Sequence, residues 1–179
     1  MRSVTLLPAS LLAASLALPA FAAGGGGSEP KPTETSTTCE DGMVYDEKTK
    51  TCIKSSASIL NDDIRYVAAR ELAYSGRYDS AMMVLDSAEN QDDPRILNYR
   101  GFVHRKQGDL TLAMQFYNRA LAQDPDYILA RSYMGQGLIA QGDLTGALVQ
   151  LREIEARGGR DTWAYAALDQ ALRGIPTDY

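Results

Sequence analysis

A repeated glycine–alanine spacing from residue 61 onward restricts the fold of this 179-residue chain more than any other feature. Three glycines each follow an amphipathic stretch and precede an alanine by five residues: Gly76 and Ala81, Gly108 and Ala113, Gly142 and Ala147. The units are spaced by 32 residues and then by 34. A glycine in this place suits the left-handed conformation that ends a helix. A fixed period of this size indicates a solenoid, because one unit cannot bury its apolar face alone.

The residues within each period resemble the tetratricopeptide repeat family. The family motif runs from a large residue through a Leu-Gly pair and a Tyr to Ala, then Phe or Tyr, Ala and Pro. The middle unit follows this motif with Leu97, Gly101, Ala113, Tyr117, Ala120 and Pro125. The third unit has Ile154 and Gly159 where Ala and Pro are usual, and Pro94 is displaced by one residue at the end of the first unit. Small residues at these positions allow the paired helices to approach closely.

The resemblance implies an all-α fold, an α-solenoid of three tetratricopeptide-like helix pairs over residues 60–173. The helices are expected at residues 62–75 with 78–89, 95–107 with 110–122, and 127–141 with 144–157. A seventh helix, from residue 161 or 162 to about residue 172, would cap the array, since an uncapped solenoid exposes an apolar end. Trp163 on this helix is expected to pack against the repeats.

Residues 1–22 have the pattern of a removable signal peptide. Arg2 precedes an apolar run, and the small residues Ala20 and Ala22 suit a signal peptidase, so we expect cleavage after Ala22. A membrane anchor is the alternative, but the apolar run is short and two prolines interrupt it. No later stretch is apolar enough to cross a bilayer. We therefore predict an exported bacterial protein, and a Gram-negative periplasm fits a short exported repeat protein with few cysteines best.

Two short segments precede the repeats. Residues 23–38 contain four consecutive glycines, two prolines and a run of Thr and Ser, a composition that predicts a flexible linker. Residues 39–54 predict a small hairpin, closed by a disulfide between Cys39 and Cys52 because export leads to an oxidising compartment. The spacing of Cys, Gly and Tyr in this segment resembles short disulfide modules of secreted proteins, some of them carbohydrate-binding. The segment is predicted to be a cap or spacer, with cell-wall or glycan association as the alternative.

The sequence contains no motif for catalysis, metal binding or nucleotide binding. His104 is its one histidine, so with the cysteines paired there is neither a Cys-His nor a Ser-His-Asp arrangement. The glycines punctuate helices and do not form a phosphate-binding loop. A formal net charge of -5 argues against nucleic acid as a partner, because phosphate binding needs concentrated Lys and Arg. We predict no enzymatic activity, no cofactor and no metal site.

The resemblance also implies a binding surface on the concave side, which in this family is lined by the first helix of each pair. Transferred position by position, it predicts a groove of cationic, aromatic and amide side chains: Tyr66, Arg70, Tyr74, Arg95, Asn98, Phe102, Arg105, Lys106 and Gln136. Family members that clamp a terminal carboxylate carry Lys and Asn at two positions of the first unit. This chain has Tyr66 and Arg70 there, so it departs from that clamp.

Guanidinium groups beside aromatic rings suit an acidic or carboxylate-bearing peptide segment that also carries an apolar side chain. The predicted function is that of an adaptor or scaffold for a protein or peptide partner. The alternative is a structural component of a cell-envelope assembly that uses its convex or end surfaces. The sequence leaves the oligomeric state open.

Overall fold

The structure, a computed structural model, describes residues 30–176. The predicted signal peptide and the first part of the predicted linker lie outside this range. The elements follow in the order α1 (Glu34–Thr37), β1 (Met43–Asp46), β2 (Thr51–Lys54), α2 (Asp62–Tyr74), α3 (Tyr78–Asp86), α4 (Pro94–Lys106), α5 (Leu110–Gln123), α6 (Ile128–Ala140), α7 (Leu144–Ala156) and α8 (Trp163–Leu172). The prediction of a helical solenoid preceded by a small disulfide-closed hairpin is confirmed.

Short-range signals set the helix ends. Side chains at the predicted starts accept hydrogen bonds from backbone amides of the first turn, for example Asp109 from Leu112 at 3.0 Å and Asp143 from Gly146 at 2.8 Å. The three predicted helix-ending glycines, at positions 76, 108 and 142, have positive φ between 75° and 90°, and Gly158 after α7 has a φ of 73°. Because these signals are local, the sequence places the helices accurately.

Helix α3 is the exception, since it ends at Asp86 and the predicted end was residue 89. The hydroxyl of Ser87 donates to the Val84 carbonyl at 2.7 Å, which satisfies an acceptor in the last turn. The side-chain amide of Gln91 donates to the carbonyl oxygens of Leu85 at 3.1 Å and Asp86 at 3.2 Å. These side chains take the place of the backbone donors that a longer helix would supply.

The C-terminal part of the predicted linker is ordered against the repeats. The amide and hydroxyl of Thr33 donate to the buried Glu71 carboxylate at 2.7 and 2.8 Å, and the amide of Ser36 donates to it at 3.1 Å. The Arg77 guanidinium donates to the Ser36 carbonyl oxygen at 3.0 Å. The linker predicted over residues 23–38 is corrected at this end, because its hydrogen-bond partners lie about 40 residues further along the chain.

The two-cysteine segment forms an antiparallel hairpin in which Val44 lies opposite Ile53. A disulfide joins Cys39 and Cys52, which are 13 positions apart. Closing a loop of this size stabilises the folded chain by about 3 kcal/mol in the chain-entropy estimate. Val44 is buried in the same core cluster as residues of α2 and α3. The hairpin therefore caps the N-terminal end of the solenoid, and α8 packs on α6 and α7 at the other end.

Candidate functional site

A continuous row of aromatic rings crosses the first helices of the three pairs. We call it the aromatic row; its members are Tyr66 and Tyr74 of α2, Tyr99 and Phe102 of α4, Tyr133 of α6 and Trp163 of α8. The ring centroid of Phe102 lies 5.4 Å from that of Tyr74 and 5.0 Å from that of Tyr133. Tyr133 in turn lies 6.3 Å from Trp163. Each such pair adds about 0.5–1.5 kcal/mol beyond the apolar area that it buries.

Two hydrogen bonds link the first helices of the three units. The hydroxyls of Tyr74 and Tyr133 are 2.6 Å apart, which connects α2 directly to α6. Nε of Arg70 donates to the Tyr99 hydroxyl at 3.1 Å. The first helix of the first unit thus contacts that of the third, so the concave side is tightly curved at this point.

Four cationic side chains lie over these rings, and we call them the cationic rim: Arg70, Arg95, Arg105 and Lys106. The Arg105 guanidinium carbon is 5.3 Å from the Phe102 ring centroid and 5.7 Å from that of Tyr133. The Lys106 ammonium is 5.9 Å from the Phe102 centroid. Cations within about 6 Å of an aromatic face are attracted to it, so these contacts hold the rim against the rings.

Arg95 differs from its predicted role as a groove cation. It lies 5.1 Å from the Tyr66 centroid, but it also forms ion pairs with Asp93 at 2.7 Å and Asp63 at 2.8 Å. The hydrogen bond to Asp93, foremost, raises the pKa of Arg95. Two carboxylates therefore balance its charge, and Arg95 contributes less positive potential to the groove than the sequence indicated.

Three predicted groove residues are buried and form the floor of the site, and Phe102 of the aromatic row is one of them. Asn98 is 0% exposed, Phe102 1% and Gln136 6%. Among residues 30–176, neither the oxygen nor the nitrogen of the Asn98 and Gln136 amides has a hydrogen-bond partner. A buried polar group left unpaired costs about 1–3 kcal/mol. The structure thus brings the predicted groove residues together in two layers, with the cationic rim above the buried floor.

A cavity of about 380 Å³, which we call the end cavity, opens at the C-terminal end of this surface. It is lined by Arg105 of α4, Gln136 and Ile139 of α6, Ala171 of α8, and Ile175 and Pro176 beyond α8. The Arg105 guanidinium therefore lies beside apolar side chains in this cavity. The buried Gln136 amide, which has no hydrogen-bond partner among residues 30–176, lies beside them as well. Such a site can receive a carboxylate together with a small apolar group.

A second cavity, of about 360 Å³, lies between the hairpin and α2. Val44 and Tyr45 of β1 line it together with the exposed Ile64 and Val67 of α2. The two-cysteine segment thus supplies one wall and the first repeat supplies the other. Because Glu71 on this wall already accepts three hydrogen bonds from α1 and its cap, its carboxylate is occupied.

Burial changes the acid–base chemistry of the tyrosines in and beside the aromatic row. It raises the pKa of Tyr99, Tyr127 and Tyr133 well above the ordinary value. Burial likewise raises the pKa of Tyr117 to about 12, although the Arg105 charge opposes the change. These phenols therefore stay protonated and can donate hydrogen bonds at neutral pH.

Sequence reasoning missed two members of this site. Tyr99 and Tyr133 are central to the aromatic row, and they occupy equivalent places 34 residues apart in the repeat. That recurrence was visible in the sequence and could have identified them. Trp163 was predicted to pack, and its ring does contact Tyr133 at the end of the row. The groove therefore continues from the repeats onto the capping helix.

Residues 30–176 contain no group of three or more His, Cys, Asp or Glu side chains placed to hold a metal ion. Within the same range, no helix is both long and apolar enough to cross a membrane. The His104 ring stacks on Phe116 with centroids 5.5 Å apart, which gives this histidine a packing role.

Comparison with protein families identifies the middle unit. Residues 94–127, which comprise α4, α5 and the turn into α6, match the family model of the tetratricopeptide repeat. This match confirms the predicted family resemblance. Tetratricopeptide repeats in general mediate protein–protein interaction and are typically non-enzymatic scaffolds. Comparison with curated proteins and with solved structures found no match to the chain.

Proposed function

We propose that this tetratricopeptide-repeat protein is an adaptor or scaffold that binds an acidic or carboxylate-bearing segment of a partner protein in its concave groove. The groove comprises the aromatic row, the cationic rim and the end cavity. The observation that carries the proposal is the set of cations fixed over aromatic rings, with Arg105 over both Phe102 and Tyr133. Such an arrangement offers positive charge and an apolar surface to the same ligand.

The geometry indicates how each layer would contribute to binding. Arg70 and Arg105 are half-buried, so water screens their attraction for a carboxylate less than it would on an open surface. Ring contacts hold these side chains, which reduces the conformational entropy lost on binding. The Gln136 amide, which has no hydrogen-bond partner among residues 30–176, can form hydrogen bonds to a peptide backbone. Apolar walls of the end cavity would receive a side chain of the partner.

Export to an oxidising compartment, most simply a Gram-negative periplasm, is part of the proposal. The apolar N-terminal sequence supports it, and so does the disulfide between Cys39 and Cys52, since such bonds persist outside the cytosol. We expect protein purified from a periplasmic fraction to begin at Ala23, as read by intact-mass spectrometry. A chain that retains Met1 in the cytosolic fraction would contradict this part.

Neutralising the rim is expected to abolish binding. The variant Arg70→Gln, Arg105→Gln, Lys106→Gln removes three positive charges from the groove. The matched control, Arg119→Gln, Arg160→Gln, Arg173→Gln, removes three exposed charges elsewhere on the chain. The probe is the peptide Gly-Asp-Glu-Asp-Tyr, amidated at its C-terminus and labelled with fluorescein, and the readout is fluorescence anisotropy.

We expect the groove variant to bind the probe at least 100-fold more weakly, since a charge-assisted hydrogen bond contributes about 1.5–3 kcal/mol. The control should stay within about threefold of the unmodified protein, as expected for screened surface charges. Equal weakening of both variants would mean non-specific attraction and would reject the groove. No change in the groove variant, with self-association in light scattering, would favour the structural alternative. For that alternative, the exposed Leu144, Leu148 and Val149 of α7 offer a convex apolar face.

A further inference from the structure

The two ends of the solenoid are covered unequally. At one end α8 supplies a helix of ten residues, whereas α1 at the other end has four. The hairpin covers part of α2 through Val44, which is 2% exposed. On α2 itself, Ile64 and Val67 remain 41% and 57% exposed. An exposed apolar face at the end of an array is the surface on which a neighbouring unit would pack.

The cavity of about 360 Å³ between the hairpin and α2, which we call the hairpin cavity, borders this face. Its apolar wall consists of Val44, Ile64, Val67 and Ala68. Ile64 and Val67 are three positions apart on one helix, so their side chains form a ridge beside the opening. A ridge next to a depression is the relief into which the side chains of a second helix pack. The cavity has room for such side chains, since ligand sites begin at about 300 Å³.

Bonds within the chain hold the wall that faces α2. The Arg77 guanidinium donates to the Cys39 carbonyl oxygen at 2.9 Å, and the Tyr45 amide donates to the Thr35 hydroxyl oxygen at 3.2 Å. The disulfide between Cys39 and Cys52 closes the hairpin. Because these bonds restrain the wall, less conformational entropy is lost when a partner binds against it.

All charged side chains that line the hairpin cavity are carboxylates: among the described residues, Glu47, Asp63 and Glu71 line it and no Lys, Arg or His does. The three donors to Glu71 are neutral, so they leave its negative charge in place. Lys50 pairs with Glu47 at 2.6 Å, and this carboxylate is 70% exposed. Arg95 pairs with Asp63 at 2.8 Å, and this carboxylate is 74% exposed. Exposed ion pairs are weak, so a cation of a ligand can replace either partner.

We propose that the hairpin cavity binds a basic amphipathic helix of a partner protein. Aliphatic side chains of that helix enter the cavity and pack on Ile64 and Val67, while its Lys or Arg side chains lie beside Glu47 and Asp63. The helix thereby takes the place that a preceding unit of the array would occupy. The site is separate from the concave groove and prefers the opposite charge, so this inference goes beyond the proposed function and gives the adaptor a second ligand class.

The test measures binding of a defined peptide by fluorescence anisotropy. The peptide Lys-Leu-Ala-Lys-Leu-Leu-Lys-Ala-Leu-Lys, amidated and labelled with fluorescein, places its leucines on one face of a helix. The full chain carrying Ile64→Gln and Val67→Gln should bind it about tenfold more weakly, because the apolar ridge is lost. The matched control carries Leu148→Gln and Val149→Gln on α7, where the exposures are a similar 40% and 46%. It should stay within about threefold of the unmodified protein.

A second pair of variants isolates the contribution of charge. Glu47→Gln and its matched control Glu155→Gln each remove one negative charge from an ion pair with an exposed cation, so non-specific attraction of the basic peptide falls equally in both. We expect Glu47→Gln to weaken binding about threefold more than Glu155→Gln does. The same peptide with Gln in place of every Lys should bind the unmodified protein about tenfold more weakly. This pair decides the question even if the double substitution on α2 destabilises the fold.

Several outcomes would overturn the inference. Equal weakening by the hairpin-cavity variants and their α7 controls would show non-specific attraction, and equal binding of the Lys and Gln peptides would remove the requirement for a basic ligand. An oligomer in light scattering that Ile64→Gln, Val67→Gln dissolves would assign the cavity to a second copy of the chain. Retention on insoluble peptidoglycan that the same variant loses would assign it to a glycan. None of these variants alters the groove, so the proposed function stands or fails separately.

Discussion

Replacing Gly101 by alanine is expected to lower the free energy of unfolding by about 1–3 kcal/mol, the usual cost of overpacking a core. This loss is the opposite of what helix propensity predicts, since alanine exceeds glycine by about 1 kcal/mol in a helix interior. A Cβ at this position would lie 2.6 Å from Cε1 and 2.7 Å from Cδ1 of Tyr117. The Tyr117 ring is fully buried between α4 and α5, so it cannot move aside without disturbing the core.

Gly137→Ala is the matched control for this experiment. It also lies inside a buried stretch of a first helix, but there the new Cβ would meet mainly the terminal methyl of Met114. Methionine has three rotatable side-chain bonds and can withdraw that methyl. We expect Gly137→Ala to be neutral or stabilising by up to about 1 kcal/mol. Urea denaturation followed by circular dichroism measures the free energy of unfolding of both variants. Equal effects of the two substitutions would show that the Tyr117 contact does not limit the helix spacing.

Raising the pH from 10 to 12 is expected to unfold the protein steeply. Burial raises the pKa of Tyr99, Tyr127 and Tyr133 far above the ordinary value and that of Tyr117 to about 12, while tyrosines of an unfolded chain titrate near ~10. The unfolded state therefore loses protons that the native state retains. The stabilisation is complete below pH ~10 and is lost as pH rises toward the folded pKa values.

The expected slope is large because four phenols act together. Each contributes about 1.4 kcal/mol per pH unit once it is ionised only in the unfolded state, so the four approach about 5 kcal/mol per pH unit. Urea denaturation at pH 9, 10 and 11 measures this slope, and absorbance at 295 nm reports phenolate in the native protein. Native absorbance that shows these phenols ionising near pH 10 would contradict the prediction.

Tyr127→Phe is the control that isolates one of the four phenols. Its hydroxyl is buried and interacts with the Tyr66 side chain, so the substitution should lower the free energy of unfolding by no more than about 1 kcal/mol at neutral pH. At alkaline pH it should reduce the slope by about a quarter, because one ionisable group is gone. An unchanged slope would mean that other groups, not the buried tyrosines, cause the alkaline loss of stability.

Much of the fold could be predicted because it depends on local interactions. The glycine at position 108 and the aspartate that follows it, Asp109, end one helix and cap the next without help from distant residues. The small residue at position 101 follows from the repeat motif, which has a small residue at this place in all three units: Ala69, Gly101 and Gly135. The one misplaced helix end, at Asp86, depended on side-chain bonds from Ser87 and Gln91 that periodicity does not encode.

The site could be predicted only in outline. The repeat indicated which side chains face the concave side, and Arg70, Tyr74 and Arg105 do lie on one surface. It could not indicate that Asn98 is buried, or that the charge of Arg95 is met by Asp63, because both depend on how closely successive units pack. For the same reason the sequence did not predict that the residues around Thr33 are ordered. Thr33 donates hydrogen bonds to the Glu71 carboxylate on α2, a distant residue in the sequence.

The sequence by itself determined the repeated glycine–alanine unit, the helices that follow from it and the pairing of the two cysteines. Each of these depends on residues within one turn, one repeat or one short loop. Only the tertiary structure decided the curvature that brings the Tyr74 and Tyr133 hydroxyls to 2.6 Å across 59 positions of sequence. The sequence predicted an open groove, whereas the structure has a floor, a rim and an end cavity. The curvature results from the packing between successive units, so no single unit specifies it.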